Sequence, residues 1–179
     1  PYTVPDKKES FTPILENEIT EEILLKGGFR SLGQLNGIRY LDFNVARFLE
    51  RAKESGYYDK SIFVFFGDHR GGMKKLNFLK NNEDELGIQR HHVPFFIHAP
   101  KYIKAQELDK YAKLVDIFPT ATSLAKIEYT NYTLGRDLLD SSSINSAAFV
   151  YIQSKGEKAV GVLKDNFYYE KTNISKKTG

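Results

Sequence analysis

Ser61-Ile62-Phe63-Val64-Phe65-Phe66-Gly67-Asp68-His69 is the stretch on which the fold turns. Ile62 to Phe66 is a near-continuous β-branched and aromatic run, the pattern of a strand buried on both faces. It ends on Gly-Asp-His. Ligands of open α/β sheets collect outside the carboxyl ends of the strands, and a carboxylate beside an imidazole is a donor pair for a divalent metal. Neighbouring side chains on an extended strand point to opposite faces, so turning two of them onto one ion needs a local bend, which Gly67 permits. The same dipeptide also reads as a solvated loop carboxylate next to a hydrogen-bonded histidine. Two donors do not close a site, and manganese, magnesium or zinc would require further ligands.

Upstream, Ile38, Leu41, Val45, Phe48, Leu49 and Ala52 recur at helical spacing, with Arg39, Arg47, Glu50 and Lys53 mostly on the other side, which predicts a surface helix packing on a sheet. Gly56 stops it. Downstream, Val93-Pro94-Phe95-Phe96-Ile97-His98 predicts a second strand, with Pro94 near its start and Pro100 past its end, where a missing amide is tolerated. Parallel pairing of the two strands would need a crossover; residues 70–92 are long enough for one, although their Asn, Glu and Lys content suggests a polar loop. Asp116 is placed to cap a following helix, with Pro119 in its first turn and Leu124 and Ala125 turned inward. Beyond Asn145, the runs Ala148 to Gln153, Ala159 to Lys164 and Phe167 to Lys171 alternate with turn residues at Lys155-Gly156 and Asp165-Asn166 and predict an antiparallel meander.

At 179 residues the chain can bury a sizeable core. Its longest apolar runs fall far short of the roughly 20 residues a membrane helix needs, and its first residues do not read as a signal peptide. With 26 basic against 23 acidic residues the net charge is +3, and no clustered basic-aromatic surface argues for nucleic acid. The absence of cysteine excludes disulfides and thiolate metal sites without fixing the compartment.

Taken in order, the helix Ile38 to Leu49, Gly56-Tyr57-Tyr58-Asp59, Gly67-Asp68-His69, Val93 to Pro100, Leu114-Val115-Asp116-Ile117-Phe118-Pro119-Thr120 and Leu134-Gly135-Arg136-Asp137-Leu138-Leu139 resemble the C-terminal half of the sulfatase-like branch of the alkaline phosphatase superfamily. The resemblance runs to the lipoteichoic acid synthase type of phosphoglycerol transferase. It implies an α/β fold: a partial alkaline phosphatase-like sheet with flanking helices over residues 1–140, and a small antiparallel β meander over 141–179 packed on it. It also implies that Asp68 and His69 are metal ligands, for manganese first and for magnesium, zinc or calcium as alternatives. Pro1 to Pro5 resembles the family's segment after a histidine that contacts the substrate phosphate. The family's nucleophilic threonine, an acidic metal ligand and membrane helices would lie N-terminal to this chain, which is therefore expected to be a fragment, inactive alone, whose partner is the missing N-terminal half. The substrate implied is an anionic phospholipid or another phosphate or sulfate ester at the extracytoplasmic face of a bacterial membrane, with the membrane reached through upstream segments.

Three further residues are candidates for contact with the substrate's anionic group: His91 and His92, just before the second strand, and Arg70, just after the metal pair. Each has a plain alternative, as a loop histidine bonded to backbone or as a solvated arginine. His98, inside an apolar strand, reads as a structural histidine, and Arg136 as the partner of Asp137 or of a helix end. Two rival functions stay open. One is a true sulfatase acting through a formylglycine; the other is a binding domain that has kept the fold without the activity.

Overall fold

A computed structural model of the chain describes residues 10–69, 86, 88–144, 147–154, 157–165 and 167–172. The described residues up to Ser61 form one compact unit, and those from Ile62 onward form another.

The first unit is helical. A short helix α1, Glu21–Lys26, starts where the Thr20 hydroxyl accepts from the Ile23 amide, and it buries Leu24. Helix α2, Leu32–Glu54, is capped by the Ser31 hydroxyl, which accepts from the Gln34 amide at 3.1 Å. It ends at Ser55 and Gly56, where Gly56 takes φ of +76°, a conformation that favours glycine. Arg51 and Lys53 in the last turn complement the negative end of the helix dipole.

The burial of α2 differs from its periodicity. Of the predicted apolar stripe only Ala52 is buried, while Ile38, Leu41 and Phe48 are exposed and Val45 and Leu49 half-buried. The strands all belong to the second unit, so no sheet of its own unit covers this helix among the described residues. What α2 buries instead is polar. The Asn36 amide accepts from the Ile14 backbone N–H and donates to the Ile14 carbonyl, both at 2.9 Å, while the Phe11 ring packs edge-on to Tyr40 at 5.2 Å. The extended chain before α1 is thus clamped to α2 by a two-way hydrogen bond that mimics a strand pairing.

The second unit holds two small sheets. Strands β1, Phe63–Phe66, and β2, Phe95–His98, pair antiparallel, with Phe63 opposite His98 and Phe66 opposite Phe95. Phe65 and Phe96 stack across the ladder at 4.8 Å. The crossover that a parallel arrangement would need is not used: the chain returns in the opposite direction. His98 sits half-buried in β2 beside Phe63, ring to ring 6.2 Å, consistent with a structural histidine.

A 3-10 turn, Leu114–Asp116, leads into helix α3, Ile117–Leu124. Asp116 does not cap α3. Its fully buried carboxylate instead accepts from the Lys113 amide at 2.8 Å and from the Arg136 amide at 3.0 Å, with the Lys113 ammonium 3.8 Å away. Thr120, also buried, donates to the Asp116 carbonyl and accepts from the Leu138 amide at 3.0 Å. These bonds tie the Gly135-to-Leu138 segment to the start of α3, and Gly135 fits because a Cβ there would fall 1.9 Å from the Val115 carbonyl oxygen. Arg136 turns away from the expected pairing with Asp137 and donates from Nη2 to the Tyr111 carbonyl. Leu124 is half-buried and Ala125 exposed; Pro119, Thr120 and Thr122 are the residues that α3 turns inward.

The C-terminal strands β3, Ala148–Ser154, β4, Glu157–Lys164, and β5, Phe167–Thr172, form the expected antiparallel meander. The β4–β5 turn begins at Asp165, whose φ of +50° suits a tight hairpin. No helix of the described residues is long and apolar enough to cross a membrane.

Candidate functional site

Asp68 and His69 stand at the carboxyl end of β1 and converge. His69 Nε2 lies 3.6 Å from Asp68 Oδ2, and the two side chains are 75% and 82% exposed. The bend is held locally: the His69 backbone N–H donates to Asp68 Oδ1 at 2.8 Å. That bond orients the carboxylate and leaves Oδ2 on the imidazole side. Two ligands each about 2.1 Å from one ion stand about 3.0 Å apart at octahedral angles and about 3.4 Å apart at tetrahedral ones, so the observed separation comes nearer to a carboxylate and an imidazole sharing one tetrahedral cation. Among the described residues no cluster of three or more His, Asp or Glu that could hold a metal is present. Asp68 and His69 alone would offer a cation two donors.

Gly67 contributes through space rather than through an unusual backbone angle. A Cβ on it would lie 3.0 Å from Val93 Cβ and 3.3 Å from Val93 Cγ1, and its amide donates to the Pro94 carbonyl at 3.0 Å. The end of β1 and the start of β2 are clasped at this point. Pro94 offers only its carbonyl, so the missing amide costs the clasp nothing.

Antiparallel pairing has a direct consequence for the candidate histidines. It brings the amino end of β2 to the same edge as the carboxyl end of β1. His91 closes a 3-10 turn, Ile88–His91, and His92 follows it; both are exposed. They share the end of the sheet occupied by Asp68 and His69 without joining them in a metal-binding cluster. Arg70 lies outside the described residues. Sequence reading missed the Val93–Gly67 contact, and the only signal for it was a glycine directly ahead of two candidate ligands.

The sulfatase family model matches residues 4–127. Lipoteichoic acid synthase 2 of Bacillus subtilis is 36% identical over 108 residues, 56% of this chain and 16% of the relative. An arylsulfatase of Clostridium perfringens is 33% identical over 107 residues, 58% of this chain and 22% of the relative. The chain thus spans less than a quarter of the length of these curated relatives. A protein solved in complex with its substrate D-glucosamine-2-N,6-O-disulfate superposes with a TM-score of 0.51 at 19% identity, over 78% of this chain and 30% of that one. This last likeness is one of fold.

Proposed function

Because the chain belongs to the sulfatase family, we propose that it carries one side of the catalytic site of a metal-dependent phosphotransferase of the lipoteichoic acid synthase type. The observation that carries this reading is the 3.6 Å approach of His69 to Asp68 at a strand mouth. A divalent cation held between them, manganese in the first instance, would supply Lewis-acid stabilisation of the nucleophile and of the transferring group. The residues themselves do the positioning. Asp68 keeps Oδ2 toward the imidazole because Oδ1 is occupied by the His69 amide, and the clasp at Gly67 holds both against the start of β2. His91 and His92, from the start of the neighbouring strand, are assigned to the substrate's anionic group, together with Arg70.

The substrate on this reading is a phosphatidylglycerol-like lipid at the extracytoplasmic membrane surface. A nucleophilic threonine and the remaining metal ligands come from a segment outside this chain, so the chain alone turns nothing over. The test is headgroup release from labelled phosphatidylglycerol by the protein that joins this chain to that segment. Asp68→Ala and His69→Ala abolish release, and His92→Ala raises KM more than it lowers kcat. Full activity of Asp68→Ala would end the proposal. The similarity to an arylsulfatase favours a second reading, sulfuric ester hydrolysis; preferential turnover of an aryl sulfate would select it.

A further inference from the structure

The outward face of the C-terminal meander is chemically one-sided. Side chains alternate along a strand and directly opposed residues of an antiparallel pair share a face, so the register sorts β4 and β5. One face carries Ala159, Gly161, Leu163, Tyr168 and Glu170. Ala159 and Gly161 are buried there, Ala159 against Leu163 and Tyr168, and Gly161 against the Tyr168 ring. The other face carries Val160, Val162, Lys164, Phe167, Tyr169 and Lys171. Phe167 and Tyr169 are each 62% exposed with ring centroids 6.3 Å apart, and Lys164 and Lys171 are exposed beside them. On β5 the acidic position, Glu170, falls on the opposite face by register.

We propose that this face docks on an anionic phospholipid surface, with the rings entering the headgroup boundary and the lysines meeting lipid phosphates. Charge and shape both favour that occupant. Exposed rings flanked by lysines, with no carboxylate among them, match a surface that is apolar beneath and negative on top. A sheet face presents a broad row of side chains, which suits an extended interface better than a small ligand that needs a concavity. The acidic neighbour at the edge, Asp165, reaches Lys164 at only 4.0 Å with both groups well exposed, a pairing too weak to withhold that lysine. This contact needs no membrane helix and does not depend on the cation site.

The chain has no tryptophan, so Phe167→Trp installs a single fluorescent reporter on the face. Mixed with phosphatidylglycerol-containing vesicles, its emission shifts to the blue; with phosphatidylcholine vesicles it does not. Each lysine near an anionic surface contributes about fivefold in affinity, so Lys164→Glu with Lys171→Glu weakens vesicle partitioning of the full chain by at least about 25-fold. Tyr169→Ser weakens it independently, and circular dichroism verifies that each variant is folded. The charge-matched control Lys60→Glu with Lys104→Glu, at exposed positions elsewhere, leaves most of the binding. Absence of a blue shift overturns the proposal, as does equal loss in the control pair, which would mean attraction by net charge alone. A blue shift produced as well by soluble polyphosphate, or a chain dimer that Tyr169→Ser dissociates, would assign the face to a polymer or to a second copy and overturn it too.

Discussion

Gly67→Ala probes the clasp that fixes the candidate ligands, and its effect can be worked from three contacts. The new methyl would sit 3.0 Å from Val93 Cβ, 3.3 Å from Val93 Cγ1 and 3.4 Å from Pro94 Cδ, against an optimum of about 3.5–4.0 Å for carbon pairs. The two chain segments must separate by roughly half an ångström. Overpacking of this kind costs about 1–3 kcal/mol; Val93 is half-buried and can give, which sets the cost near the middle of that range, about 2 kcal/mol. Replacing glycine where φ is not left-handed returns about 0.4–1 kcal/mol by restricting the unfolded chain. The net loss is about 1 kcal/mol, and it falls directly beside Asp68. Val93→Gly removes both Val93 contacts, so in that background Gly67→Ala becomes neutral or slightly stabilising, a coupling of about 1–2 kcal/mol in a double-mutant cycle. Urea unfolding of the four proteins measures it. A coupling indistinguishable from zero refutes the clasp and with it the explanation of why Asp68 and His69 sit where they do.

Other outcomes follow from the buried bonds. Asp116→Ala strips the acceptor from the Lys113 and Arg136 amides; at about 1–3 kcal/mol for each orphaned donor, discounted because both are part-buried, the loss is about 2–3 kcal/mol by chemical denaturation. Gly161→Ala drives a methyl into the Tyr168 ring, 2.4 Å from its nearest atom, and lowers the thermal midpoint of the unit that carries the meander. Tyr168 has its pKa raised from 10.0 to about 12, by burial first and then by the negative charge and hydrogen bond of Glu170. The folded state therefore holds a proton that the unfolded chain gives up earlier, so this contribution is complete below pH 10 and is lost as pH rises toward 12. Unfolding of wild type and Tyr168→Phe compared across that window shows the extra decline in the wild type alone.

How much of this was legible depended on the range of the interaction. The strand ending on Asp68-His69, the helix stop at Gly56 and the meander with its turn at Asp165 are local patterns of period and turn chemistry, and the chain forms them. Strand direction was not local. The antiparallel partner of Phe63 is His98, and no residue near Phe63 encodes which way the chain returns, yet that choice decides whether His91 and His92 share an edge with Asp68 and His69. Asp116 reads locally as the cap of α3 and is instead an anchor, because its second donor is the Arg136 amide, 20 residues on. On α2 the period marked an apolar stripe correctly, while burial went to Asn36, whose partner Ile14 is 22 residues back. Periodicity shows which face of a helix is apolar; whether anything covers it is a tertiary matter.

The most direct test of the account is manganese uptake by this chain, followed through the loss of the free-ion signal in electron paramagnetic resonance. One weak, saturable site is expected, and it disappears in Asp68→Ala and equally in His69→Ala, while His98→Ala binds as wild type. Binding that survives either of the first two substitutions would contradict a shared cation site at the mouth of β1.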